Sequence, residues 1–315
     1  MAKSIPTSGP PRRARRGFLA RAARSWELYL FLLPTLVYFA IFQYGPLYGV
    51  QIAFRDYLGA LGIWGSPWVG LQNFIRFFHS AFFVSLLANT VSLSLLILVF
   101  SFPMPVIFAL LLNQLGSQKY KRIVQTVSYA PHFISVVVFV GLIFLFSSPS
   151  TGIINILVSK LGGPRIYYMG SLSWFRPVYL LSDIWQETGW GAIIYLAALS
   201  GVNPELYEAA TIDGATKFQK ILHIDIPAIV PTVTILLVLR TGAVMSVGFE
   251  KAFLMQTPLN LDHSEIISTY VYKVGLQGAQ FSFGSAVGLF NSVVNLALLL
   301  AVNRVVRALG ETSLW

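Results

Sequence analysis

The chain of 315 residues contains no cysteine. Disulfides, thiolate metal sites and cysteine nucleophiles are therefore excluded. Charge is scarce as well: Asp, Glu, Lys and Arg make up 11% of the residues, where a soluble domain carries roughly 25%. Acidic side chains are the scarcer kind, 12 against 22 basic ones. No lysine follows a glycine, which rules out a Gly-Lys-Ser/Thr phosphate loop and with it the usual ATPase. The four histidines (His79, His132, His223 and His263) are scattered without HExxH spacing, and no Gly-x-Ser-x-Gly occurs. No catalytic residue and no metal site is expected, and no cofactor is expected on this chain.

What the chain has in abundance is apolar length. Hydrophobic residues make up 56% of it, in several runs of about 20 residues. Backbone polar groups in lipid must be satisfied within the segment, so such runs have to be helices. The expected fold is an all-α polytopic membrane protein with six transmembrane helices, at about 28–50, 85–112, 123–147, 178–200, 227–248 and 283–305. Pro103, Pro105 and Pro131 fall inside the second and third spans and imply kinks. Residues 1–27 form a basic tail with Lys3, Arg12, Arg13, Arg15, Arg16, Arg21 and Arg24. Arg15-Arg16-Gly17-Phe18-Leu19 looks like a twin-arginine signal, but Arg21, Arg24 and Glu27 interrupt its apolar stretch, so an anchor fits better.

The net charge of +10 then speaks of topology rather than of nucleic acid. With the N-terminus inside, fourteen Lys and Arg fall in inside segments and seven in outside ones, which places both termini in the cytoplasm. The same count puts the loop 201–226 in the cytoplasm, within a membrane domain of residues 28–315. External segments 51–84 and 148–177 carry Trp64, Trp68, Tyr167, Tyr168 and Trp174, which suit the lipid–water interface.

The cytoplasmic loop has a distinct pattern. Asn203 suits a helix N-cap and Pro204 its first position. Glu205 and Glu208 complement the helix dipole, and Asp213-Gly214 ends the helix where glycine tolerates a positive φ. A second short helix is expected from Ala215 to about Leu222, with Pro227 opening the next span. Glu208-Ala209-Ala210, Gly214 and Ile224-Asp225-Ile226-Pro227 fall in a spacing that resembles the EAA loop of the membrane subunits of binding-protein-dependent ABC importers. Ile226 stands where that family usually has Leu. Asp183-Ile184-Trp185 with Gly189-Trp190, Gly248-Phe249-Glu250-Lys251 and the closing Glu311-Thr312-Ser313-Leu314-Trp315 are similar to carbohydrate permeases of the maltose type, in the polysaccharide and oligosaccharide subgroup.

The resemblance implies the type I permease fold of ABC importers and a role in carrying an oligo- or polysaccharide across the bacterial inner membrane by alternating access. It implies a second, similar permease subunit, two ATPase subunits that hold ATP and Mg, and an external solute-binding protein. Glu205, Tyr207, Glu208, Ala209, Ala210, Asp213, Gly214 and Ala215 would then couple to the ATPase. The alternative is a stand-alone ion-driven secondary transporter or channel.

Ionisable groups inside spans are expensive and mark candidate pathway residues. These are Arg240 in the fifth span, Asp183 and Glu187 on one face of the fourth with Trp190 near them, and Glu250 at the outer end of the fifth. Arg240 either pairs with Glu187, Glu250 or carbonyls, or lines a pathway. In the sixth span Gly284 and Gly288 form a packing motif, while Asn291 and Asn295 bond either across helices or to sugar hydroxyls. Arg240, Lys251 and the basic balance point to an acidic cargo such as alginate, with a neutral oligosaccharide as the other choice.

Overall fold

The computed structural model describes residues 26–308. Most of the basic tail and the closing Glu311–Trp315 segment lie outside the described residues. The first span, Trp26–Phe54, begins as α1 (Trp26–Tyr38), passes through a π turn at Phe39–Tyr44 and finishes as a 3₁₀ stretch at Gly45–Phe54.

The remaining spans lie in the unit from Ile52 onward. The second runs Phe83–Asn113 as α2 (Phe83–Leu96), a π turn at Ile97–Ser101, and α3 (Pro103–Asn113). Pro103 has no N–H for the ladder, and the helix absorbs it with the widened turn just before it instead of a break. The third expected span is broken. α4 (Gln118–Tyr129) tightens to a 3₁₀ turn at Ala130–Phe133 around Pro131, and α5 (Val136–Ser147) leaves it at 101°. Ile134 and Ser135 are extended there, so the apolar run turns a corner instead of crossing straight.

The fourth span is α6 (Leu172–Ser200), long at 29 residues but carrying Arg176, Asp183 and Glu187. Among the described residues four helices are long and apolar enough to cross a membrane, five when the bent pair counts as one span, and α6, whose polar residues lower its hydropathy, is not among them. Next comes α7 (Pro204–Ile212), then α8 (Lys217–Lys220), a π turn at Ile221–Asp225 and α9 (Ile226–Thr241). The second short helix of the loop is thus continuous with the fifth span, Lys217–Thr241, which is 25 residues long. The fifth span ends at Thr241 rather than at 248, and residues 242–248 are irregular before α10 (Phe249–Leu254). α11 (Phe281–Ala308) is the sixth span.

Two of the larger apolar clusters in this unit gather residues far apart in the chain. One joins Leu93, Val140, Phe175, Tyr179, Met255 and Ile266, and the other joins Phe77, Leu86, Met245, Ile267, Phe283 and Val287. Small residues set the closest approaches. A Cβ on Gly284 would lie 2.7 Å from the Cα of Gly275, whereas Gly288 faces open space. The packing motif of the sixth span therefore works through Gly284 alone, against the 271–277 segment.

Candidate functional site

The loop is built as its residues dictate. Asn203 Oδ1 accepts from the Glu205 N–H at 3.0 Å, and Pro204 opens α7. The helix closes in a Schellman motif: Ala215 N–H donates to Ala210 O at 2.8 Å, Gly214 N–H to Thr211 O at 3.1 Å, and Gly214 takes φ +74°. Thr216 and Gln219 form a capping box for α8. Lys220 Nζ reaches Thr211 Oγ1 at 2.7 Å and ties the two helices together. Glu205, Glu208, Ala209, Asp213 and Gly214 are exposed, while Tyr207, Ala210 and Ala215 are half-buried. Polarity alone gave no hint of the apolar side chains beside them. Ile212 is 87% exposed and Phe218 71%, and Leu206 and Leu222 are exposed too. Large apolar groups so bare on a short loop mark a surface made for a partner.

Tyr207 turns inward and donates its hydroxyl to Asp225. Burial and this bond to a carboxylate push the phenol up to about 12, so at neutral pH it remains a donor.

The second site is a cavity of about 640 Å³ lined mainly by α2 and its π turn, α6, the end of α9, the irregular 242–248 stretch and the start of α10. Asp183, Glu187, Arg240 and Glu250 all face it, as do Lys251 and Tyr179. Partner choice differs from the pairing considered from sequence. Lys251 Nζ lies 3.6 Å from Asp183 Oδ1, with side chains only 8% and 16% exposed. Ser101, at the end of the π turn in the second span, donates to Asp183 Oδ2 at 2.6 Å. The Lys251 ammonium also stands 4.6 Å from the centre of the Tyr179 ring and 5.5 Å from that of Phe139. Glu187 Oε2 faces His132 Nδ1 at 3.3 Å. Arg240 is exposed, and its side chain makes no ion pair or hydrogen bond among the described residues. The lining holds three carboxylates and two cations, but Lys251 is engaged by Asp183, which leaves Arg240 as the cation turned to the cavity.

Trp190 lies beside the cavity rather than on it. Its ring stacks on His132 at 4.5 Å and 3° and meets Phe133 edge-on, bracing the corner of the bent third span. Asn295 holds backbone: its Oδ1 accepts from Met245 N–H at 2.8 Å and its Nδ2 donates to Ser246 Oγ at 2.8 Å. Ser94 donates to Val244 O from the other side. Irregular backbone at membrane depth needs such partners. Asn295→Ala is expected to cost about 1–3 kcal/mol, because the Met245 N–H loses its acceptor. The check is a lowered unfolding midpoint in detergent; an unchanged midpoint would show that water already serves that group. Asn291 is half-buried with its Oδ1 unpartnered, away from the cavity lining.

Helices wrapped around a charged cavity, with an exposed, doubly capped loop on a continuous helix, define a polytopic membrane protein built for transport. Residues 78–310 match the family described as binding-protein-dependent transport system inner membrane component. Protein LplB of Bacillus subtilis (strain 168) is 44% identical over 298 residues, 95% of this chain and 94% of that protein. The polygalacturonan/rhamnogalacturonan transport system permease protein YteP of the same organism is 43% identical over 301 residues, 96% and 94% of the two chains. A chain of the bacterial alginate ABC transporter, solved in complex with its alginate pentasaccharide-bound periplasmic protein, superposes with a TM-score of 0.87 at 43% identity, over 94% of this chain and 99% of that one. The protein therefore belongs to the family of inner membrane components of binding-protein-dependent transport systems.

Proposed function

We propose that this permease carries an acidic oligosaccharide into the cell. The chain is the membrane subunit of an ABC importer of the sugar and polysaccharide class, as its relatives are. YteP is described as transporting polygalacturonan and rhamnogalacturonan, and the solved neighbour as importing the acidic polysaccharide alginate. The observation that carries the acidic reading is Arg240, a guanidinium turned to the cavity with no carboxylate engaged on it among the described residues. A sugar carboxylate fits a guanidinium in a two-point hydrogen-bonded pair.

In this reading the chain pairs with a second, similar permease and takes sugar from an external solute-binding protein. Both termini lie in the cytoplasm. The 203–227 loop docks on one of two ATPase subunits, which bind ATP and Mg. The bare Leu206, Ile212 and Phe218 beside Glu208 and Gly214 support that docking. ATP-driven closure of those subunits moves the loop and switches the cavity between the two sides of the membrane.

The test is Arg240→Gln in the complete importer in proteoliposomes, with oligogalacturonate and a neutral oligosaccharide as cargo. Loss of a charged hydrogen bond is expected to lower uptake of the acidic sugar about tenfold or more relative to the neutral one. Equal loss for both cargoes would sink the acidic reading and make Arg240 a structural residue.

A further inference from the structure

Asp225 is fully buried, 0% exposed, yet no cation among the described residues pairs with it. Three neutral donors surround it. Tyr207 OH and Asn113 Nδ2 donate to Oδ1, the latter at 3.1 Å, and Gln114 Nε2 donates to Oδ2 at 2.6 Å. Asn113 Nδ2 also lies 3.3 Å from the Tyr207 oxygen, which closes the network. The donors come from separate elements: Tyr207 from α7, Asn113 and Gln114 from the end of α3. Asp225 itself sits in the π turn between α8 and α9. Beneath them Leu110, Leu199 and Ile229 pack as one apolar cluster.

The chemistry of the position is specific. Only an acceptor on both oxygens satisfies all three donors, and an amide would set its own NH₂ against a donor. A buried network of this kind is stiff when complete and expensive when one member is missing.

We infer that Asp225 is the positioning residue that clamps the coupling loop to the second and fifth spans, so that a displacement of α7 carries α3 and α9 with it. The inference rests on the reading that an ATPase subunit docks on this loop. In the resting protein the clamp holds three chain segments in register. During a transport cycle it converts motion of a surface helix into motion of the cavity walls.

The experiment uses the complete importer in proteoliposomes. Because the chain has no cysteine, Ala243→Cys gives it a single reporter on the cavity wall. A membrane-impermeant maleimide added outside reads that reporter with and without a non-hydrolysable ATP analogue, with the solute-binding protein present. Asp225→Ala is expected to reduce the nucleotide-dependent change in labelling about tenfold, within the usual range of coupling between sites. Binding of the analogue to the assembled ATPase subunits is expected to persist. Asp225→Asn keeps one acceptor oxygen and is expected to fall between. Where Asp225→Ala fails to assemble, Tyr207→Phe removes one hydroxyl and is read in the same way. An assembled variant whose labelling responds as fully as the parent overturns the inference. A parent importer whose reporter ignores nucleotide overturns the ATPase reading itself.

Discussion

Replacing Lys251 with methionine is expected to destabilise the protein by roughly 3–5 kcal/mol, the loss seen when one member of a buried ion pair is removed. The magnitude follows from what stays behind. Asp183 would keep a single bond, from Ser101, in a place where its side chain is only 16% exposed. Methionine fills most of the volume between Tyr179 and Phe139 but offers neither a charge nor a donor. The double change Lys251→Met with Asp183→Asn removes the stranded charge and should recover most of the loss. Thermal unfolding of the single and double variants in detergent measures both numbers. Additive losses would show that cavity water, rather than the ammonium, sustains the carboxylate.

Gly189→Ala is expected to be nearly as damaging, at about 3 kcal/mol, the upper end for overpacking. An added Cβ would lie 2.1 Å from the carbonyl oxygen of Ser128, so the backbones of α6 and α4 touch at this point. Backbone cannot rotate away as a side chain can, and α4 carries the corner at which His132 meets Glu187 and Trp190. The matched control is Gly288→Ala, where nothing lies within 4 Å. Alanine there should be neutral or stabilising by up to about 1 kcal/mol through helix propensity. Unfolding midpoints of the two variants separate the cases, and equal midpoints would show that α4 and α6 slide freely.

Part of this architecture was legible in the residues. Long apolar runs announced the spans, and the capping chemistry of Asn203, Pro204 and Gly214 announced a helix and its end. These are local signals, carried by neighbours in the chain. The break at 242–248 was not legible, because Ala243, Val244, Met245 and Val247 are as apolar as the helix before them. Its cause is distant in sequence: Asn295 and Ser94 supply the hydrogen bonds that let the helix stop. The corner at Ile134 was read only as a kink at Pro131, since helical propensity does not encode a turn of 101°. Pairing was the hardest part. Arg240, Lys251, Asp183, Glu187 and Glu250 share one cavity, and which cation meets which carboxylate depends on side-chain reach around Tyr179. That is a property of the packed bundle and has no signature in spacing.

The continuous helix Lys217–Thr241 joins the two sites physically. At 25 residues it is a rod of about 37 Å, with its lower end in the loop and Arg240 at its tip. Beyond the tip the chain is irregular, so a thrust along the rod is delivered at Arg240 and is not passed on stiffly to α10. Lys251, beyond that joint, is anchored to α6 through Asp183 instead. The loop and the cavity wall are thus the two ends of one lever, whose stiffness stops at the joint 242–248. A substitution that softens the rod would loosen the link between its two ends, whereas one beyond the joint would alter the frame against which the lever works.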